Sequence, residues 1–304
     1  MFGNIALYGY KQIVVVAMPV GVGAFAENFG IFLCAPLLAV HPVGGVKVFP
    51  ARNMYHHNNC GCKYTKQKQG RCFILAVKYF AMRILFVAAT EMEVGKLAAD
   101  LRFSVYDCDR AAHIADDLKN AFNQADVSML ITGAGMVATA YALGKHFARH
   151  TFDLAINLGI CGSFDKNIPL GEVLEITHDI LAELGAEDNE DFITIDKLGF
   201  GESSFTSTYK LPAQLNLKQA SAITVNTVHG NQASIEKLSA RINAQLESME
   251  GAAFFYACRQ AGIPCMQIRA VSNYVEKRNR DAWQIGLAVK NLNTFAVEFL
   301  NSLA

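Results

Sequence analysis

The run from Gln245 to Tyr274 leaves this chain few folds to choose from. It opens as a strand-like segment, passes through Met249 and a single carboxylate, Glu250, and enters the small residues Gly251, Ala252 and Ala253. Those begin a helix that carries Phe254, Phe255 and Ala257, and Gly262-Ile263-Pro264 supplies its stop. An apolar strand then runs into Arg269-Ala270-Val271-Ser272-Asn273. Strand, helix and strand in succession is the repeating unit of an open α/β sheet, whose ligands bind beyond the carboxyl ends of the strands. That rule puts Glu250 and Asn273 on one rim. A Glu at a helix start is also favoured by the helix dipole alone, so Met-Glu-Gly-Ala-Ala has a structural explanation beside a functional one.

The same rhythm begins at Met82. Arg83 to Ala88 reads as a buried strand, and a helix follows with Glu91 and Glu93 in its first turn. Val127 to Thr132 is a strand, and Gly133-Ala134-Gly135 precedes a helix to about His150. Asp153 to Leu158 is a strand leading into a second glycine turn, Gly159-Ile160-Cys161-Gly162. Further strands are expected at Glu172–Thr177 and Ile223–Val225, and helices at Ser234–Arg241 and from about Asp281. Residues 181–219 read mostly as loop with an acidic section. The expected architecture is α/β, a three-layer sandwich around a central mixed, largely parallel sheet.

Residues 1–81 have a different character. They carry a net charge of +7, whereas residues 82–304 carry −7. A domain at −7 is a poor candidate for binding nucleic acid, which selects basic faces. Gly21-Val22-Gly23 imitates a dinucleotide-binding turn, but Pro19 interrupts the passage from strand to helix and no acid follows at the expected distance. Asn28 to Val46 is uncharged, yet Pro36, Pro42 and paired glycines make it a poor membrane span. His56, His57, Cys60, Cys62 and Cys72 are zinc-capable, but Cys-x-Cys is not the spacing of the common structural sites. The segment reads as an accessory extension, or as sequence upstream of the true start, with residues 82–304 forming the complete domain. Cys108, Cys161, Cys258 and Cys265 lie scattered in apolar runs, as buried thiols in a reducing, cytoplasmic compartment do. No metal or cofactor is called for.

Ser248-Met249-Glu250-Gly251-Ala252-Ala253 followed by Arg269-Ala270-Val271-Ser272-Asn273, in strand–helix–strand context, resembles the nucleoside phosphorylase/nucleosidase superfamily. The resemblance implies that Met249 and Glu250 contact a ribose and that Asn273 contacts a purine. It also gives a task to Ala89-Thr90-Glu91-Met92-Glu93. Glu91 needs no more than a capping role. Glu93 matches the position of the Glu that activates water in the superfamily's hydrolytic members. Phosphorolytic members place phosphate-binding groups, including Arg, in this region, whereas this turn has no Arg or Lys before Lys96. A carboxylate there repels phosphate and accepts a proton from water, which favours hydrolysis. Ala89, Gly135 and Gly159 fall where the superfamily brings backbone close to the nucleoside. Methylthioadenosine/adenosylhomocysteine nucleosidases carry a Ser where this chain has Ile160, and an Asp where it has Asn273.

The Asn is informative. A carboxamide cannot deliver a proton at neutral pH, but it offers a donor and an acceptor side by side. That edge suits O6 and N7–H of hypoxanthine, or N6 and N7 of adenine when flipped, so Asn273 leaves both bases open. Use of Asn by 6-oxopurine enzymes favours hypoxanthine. Glu183-Leu-Gly-Ala-Glu-Asp188, Asn226-Thr-Val-His229-Gly230, the Glu250 motif and Ser272-Asn-Tyr-Val-Glu-Lys-Arg278-Asn-Arg280-Asp-Ala-Trp283 together resemble one branch, the futalosine hydrolases of menaquinone biosynthesis. That resemblance covers residues 82–304 and implies release of hypoxanthine from futalosine by a homodimer. It gives His229, Arg278 and Arg280 to substrate binding, since Arg suits the benzoate of futalosine. A methylthioadenosine-type nucleosidase and a purine-binding module without catalysis are the alternatives.

Overall fold

A computed structural model describes residues 82–101, 112–113 and 125–303. The dinucleotide-like turn and the His/Cys cluster of residues 1–81, and Cys108, lie outside the described residues.

The chain runs β1 (Arg83–Ala88), α1 (Glu91–Asp100), β2 (Ala112–His113), β3 (Asp126–Ile131), α2 (Met136–Phe147), β4 (Leu154–Ser163) and β5 (Val173–Leu181). It continues through β6 (Gly185–Asp188), β7 (Asp191–Thr194), α3 (Ile195–Leu198), β8 (Ser204–Thr206), β9 (Lys218–Thr224), α4 (Gln232–Arg241) and β10 (Leu246–Ser248). It ends with α5 (Gly251–Ala261), β11 (Cys265–Tyr274) and α6 (Ile285–Ser302). Neighbouring strands follow the order β10-β9-β5-β11-β4-β1-β3-β2, with β8 on β5. β1 is parallel to β3 and β4, β11 to β4, and β9 to β5 and β10. β11 meets β5 antiparallel. β10 also pairs antiparallel with β4, so β4, β11, β5, β9 and β10 close into a ring.

The two faces follow from strand alternation. Ile84, Phe86 and Ala88 of β1 join Met266 and Ile268 of β11 beneath Val94 and Leu97 of α1 and Leu292, Phe295 and Phe299 of α6. Leu85 and Val87 point the other way, toward Leu143 of α2 and Phe254, Phe255 and Cys258 of α5. Helices therefore cover both faces of the sheet. A third apolar group, including Leu174, Ile176, Ala222, Leu246 and Val271, belongs to the ring strands. Buried Asn293 ties α6 to α1 within one helical layer: its Oδ1 accepts from Leu97 N–H and its Nδ2 donates to the Glu93 carbonyl, both at 2.7 Å.

Four local expectations need correction. Gly159-Ile160-Cys161-Gly162 is not a turn but the last part of β4, because β11 and β10 hydrogen-bond to it there. β11 likewise extends beyond Ala270 to Tyr274, with a register shift between Val271 and Asn273, so Asn273 is in the strand. The acidic section within residues 181–219 forms the β6–β7 hairpin, with Asn189 at φ 54° in its turn. α6 starts at Ile285 rather than Asp281, after a 3₁₀ turn over Arg280–Ala282.

Candidate active site

The carboxyl ends of β1, β3, β4, β10 and β11 deliver most of the residues singled out from the sequence. Ala89 follows β1 and is buried, and its carbonyl accepts from Gly133 N–H at 3.0 Å, which joins the β1 and β3 turns. Glu93 lies one turn further, in α1. Its Oε2 accepts from the Thr90 backbone N–H at 2.9 Å and from the Thr90 hydroxyl at 3.1 Å, the reach-back arm of a capping box. Its Oε1 accepts from Ile160 N–H at 3.2 Å. Ile160 thus meets Glu93 through its backbone.

Glu250 stands at the N-cap of α5. Its Oε1 accepts from Gly135 N–H at 2.9 Å. Gly135 has φ +93°, and a β-carbon there would meet nothing within 4 Å. Its glycine is needed for backbone conformation, which aims the N–H at the carboxylate. Glu93 and Glu250 are 5% and 6% exposed, so two carboxylates are buried on one rim. Burial pushes the Glu93 carboxyl above its usual range, and Glu250 pushes it the same way. The Arg269 guanidinium and the Ile160 N–H act against that rise.

Arg269 is the group that sequence reasoning missed. It is 1% exposed. Its Nε donates to Gln267 Oε1 at 2.7 Å and its Nη2 donates to Asn157 Oδ1. Asn157 in turn donates to the Val87 carbonyl at 3.1 Å. A β-carbon on Gly159 would stand 1.7 Å from Arg269 Nη1 and 3.2 Å from Glu93 Oε1. Gly159 is therefore required for close approach, and the guanidinium and Glu93 converge on its bare face. β11 thus sets a cation beside Glu93, so the lack of Arg and Lys in the β1 turn does not leave this part of the site without positive charge. The available signal was a Gln, an Arg and an Asn inside strands otherwise apolar, since such residues are rarely fully buried without partners.

Asn273 lies on the same rim, beside Gly162, whose β-carbon would be 3.2 Å from Asn273 Nδ2. Nδ2 donates to the Tyr274 carbonyl at 3.1 Å, and Oδ1 accepts from the Ser272 hydroxyl at 2.8 Å. The amide is thereby oriented, with one N–H and one lone pair left over. His229 Nδ1 bonds to buried Glu247 of β10, and Glu247 also accepts from His229 N–H at 2.9 Å. The Gly230 carbonyl accepts from Arg278 N–H at 3.1 Å, which brings the His229 loop against the segment after β11. Arg278 and Arg280 are exposed there, and the Arg278 guanidinium lies 5.0 Å from the Trp283 ring centroid. Met249 is half-buried between Ser248 and Glu250. Among the described residues, no cluster of three or more His, Cys, Asp or Glu is arranged to hold a metal ion, and no helix is long and apolar enough to cross a membrane.

A mixed sheet between helices, with two buried carboxylates at its strand ends, defines the class. Residues 83–301 match the sequence model of the Phosphorylase superfamily, and the chain belongs to that superfamily. It is 36% identical over 150 residues to a futalosine hydrolase from Streptomyces coelicolor, a match that covers 46% of this chain and 62% of the relative. The chain thus spans less than two thirds of that relative's length. It is 30% identical over 171 residues to a futalosine hydrolase from Thermus thermophilus, covering 54% of this chain and 76% of the relative. Two solved structures share the fold. The native futalosine hydrolase of Helicobacter pylori has a TM-score of 0.62 at 13% identity, covering 73% of this chain and 98% of its own. The 5′-methylthioadenosine/S-adenosylhomocysteine nucleosidase of Colwellia psychrerythraea, in complex with adenine, has a TM-score of 0.61 at 21% identity, covering 73% and 96%.

Proposed function

We propose that the chain hydrolyses the N-ribosidic bond of futalosine, releasing hypoxanthine and dehypoxanthine futalosine. The observation that carries this reading is the pair of buried carboxylates, each held by a backbone N–H from a neighbouring strand end. In the reaction, Glu93 takes a proton from water as the water oxygen bonds to the anomeric carbon and the C1′–N9 bond breaks. The departing purine takes its proton from solvent at N7, since an amide such as Asn273 can hold that N–H but not supply it. A base works best when its pKa lies near the working pH, and burial moves Glu93 in that direction. Glu250, with Met249 beside it, binds the ribose hydroxyls and favours positive charge on an oxocarbenium-like sugar. The N–H and lone pair left on Asn273 suit O6 and N7 of the departing purine.

His229, Arg278 and Arg280 serve the far end of the substrate, where a benzoate meets a guanidinium. Ala89, Gly135 and Gly159 admit the nucleoside to close backbone approach. The two futalosine hydrolase relatives support the substrate. The protein acts as a cytoplasmic homodimer, the commonest symmetric assembly, within menaquinone biosynthesis, and needs no cofactor. Residues 82–304 form the nucleosidase domain. The test is incubation of the full chain with futalosine in phosphate-free buffer, followed by chromatography of the free base. Hypoxanthine release is expected. Release of adenine from methylthioadenosine, with futalosine untouched, replaces this reading with the methylthioadenosine type. Tight purine nucleoside binding with no release of base makes the protein a binding module.

A further inference from the structure

One buried acid has no role in that reaction. Asp179 of β5 is fully buried, as are Thr224 of β9 and Gln267 of β11. We infer that Asp179 is a positioning residue that holds both halves of the site at once, the Arg269 guanidinium that faces Glu93 and the first turn of α5 that follows Glu250.

Two arms leave its carboxylate. Asp179 Oδ2 accepts from Gln267 Nε2 at 3.0 Å, and Gln267 Oε1 accepts from Arg269 Nε at 2.7 Å. Asp179 Oδ1 accepts from the Thr224 hydroxyl at 2.8 Å, and Thr224 Oγ1 accepts from Ala252 N–H at 2.7 Å. An ionised carboxylate only accepts. Gln267 must therefore turn its NH₂ to Asp179 and its carbonyl to Arg269. Thr224 must direct its one hydrogen to Asp179, which leaves a lone pair for the orphan N–H at the helix start. A single charge sets the polarity of both arms, and no solvent reaches them to compete.

The helix is seated directly on this network. A β-carbon on Gly251 would lie 2.1 Å from Asp179 Oδ2 and 2.2 Å from Gln267 Oε1. As a device for stability alone the arrangement is poor, because burying an ionised carboxyl is costly and apolar packing often serves as well or better. Its value lies in orientation.

The inference rests on the proposed hydrolysis for its kinetic arm only. In the full chain, ¹³C NMR of labelled Glu follows the Glu93 carboxyl titration, assigned with Glu93→Gln. The charged groups facing Glu93 are Arg269 and Glu250; Asp179 faces Arg269 and the buried Cys161 thiol, which burial pushes up to about 12 and so keeps neutral. Gln267→Met is expected to raise the Glu93 midpoint, because Arg269 loses its anchor. It should also lower kcat for futalosine about ten- to a hundredfold with KM little changed. Thr224→Val should raise KM and leave the Glu93 midpoint in place, and Thr224→Ser should restore KM. An unchanged Glu93 midpoint in folded Gln267→Met overturns the inference. If that variant does not fold, isosteric Asp179→Asn decides: a kcat equal to wild type overturns the inference, and a lowered kcat with native melting supports it. A shifted midpoint in a protein inert toward futalosine supports the network while removing the proposed substrate.

Discussion

Gly159 and Arg269 are register partners on β4 and β11, and the guanidinium occupies the space where a β-carbon on Gly159 would be. The contact sets what Gly159 can become. Gly159→Ala must expel the guanidinium from beneath Glu93 or push the two strands apart. Overpacking of this kind typically costs about 1–3 kcal/mol. Thermal melting should register the loss, and hydrolysis should fall at least about tenfold. A variant with wild-type melting and turnover would show that Arg269 moves aside freely.

Glu93→Gln keeps the shape of the side chain but cannot take a proton. Substrate binding should persist while kcat falls about 100- to 10,000-fold, the usual range for a general base. Titration calorimetry with substrate and single-turnover kinetics separate the two effects. Near-normal turnover removes Glu93 from the mechanism.

Asn273→Asp replaces the leftover N–H with an acceptor. Hypoxanthine release should drop, while a 6-amino counterpart of futalosine, whose N6 donates, should suffer less or gain. A lost buried hydrogen bond costs about 1–3 kcal/mol, roughly a tenfold to hundredfold change in preference. The measurement is kcat/KM for both nucleosides in both proteins, with melting as a control for the lost bond to the Tyr274 carbonyl. An unchanged ratio means that Asn273 does not select the base.

Burial pushes the Asp179 carboxyl from 3.8 up to about 6. A raised folded-state pKa means that the folded protein binds this proton more tightly than the unfolded chain. The associated stability is full below pH 3.8 and is lost as the pH rises through about 6. Asp179→Asn removes that loss. Its stability relative to wild type should therefore improve between pH 4 and pH 7, by a few kcal/mol in total. Any shift of the Glu93 midpoint in Asp179→Asn, read from the same ¹³C titration, is subtracted from that difference. Denaturant melts at the two pH values give the answer, and a difference independent of pH excludes a buried, titrating Asp179.

A chain beginning at Met82 should fold and hydrolyse futalosine as the full chain does, because β1 starts at Arg83 and its side chains sit in the core. Circular dichroism and turnover of the shortened protein test this. Insolubility or inactivity, with the full chain active, assigns residues 1–81 a structural role.

Local chemistry wrote much of this protein into its sequence. The acids of the α1 first turn, the Gly262 stop of α5 and the apolar runs of β1 and β3 are short-range signals, and those elements stand where they were expected. The same signals put Glu250 at the start of α5 and Glu93 in the first turn of α1, but capping alone accounts for a Glu there, and the tasks proposed for them came from the superfamily resemblance. Gly159 through Gly162 was not. Glycines after a strand signal a turn, but here the backbone pairs with β10, about 85 residues away, and with β11, about 110 residues away. Asn273 entered a strand by the same long-range pairing. The acidic section formed a hairpin because each of its strands found the other. Asp179, Thr224, Gln267 and Arg269 were the least legible. They lie on three strands that carry other polar residues as well, and nothing local states which polar residue on β5 meets which on β11. Only closure of β4, β11, β5, β9 and β10 into a ring buries them together. There, out of water, each donor and acceptor had to find the other, and that requirement placed a cation beneath Glu93.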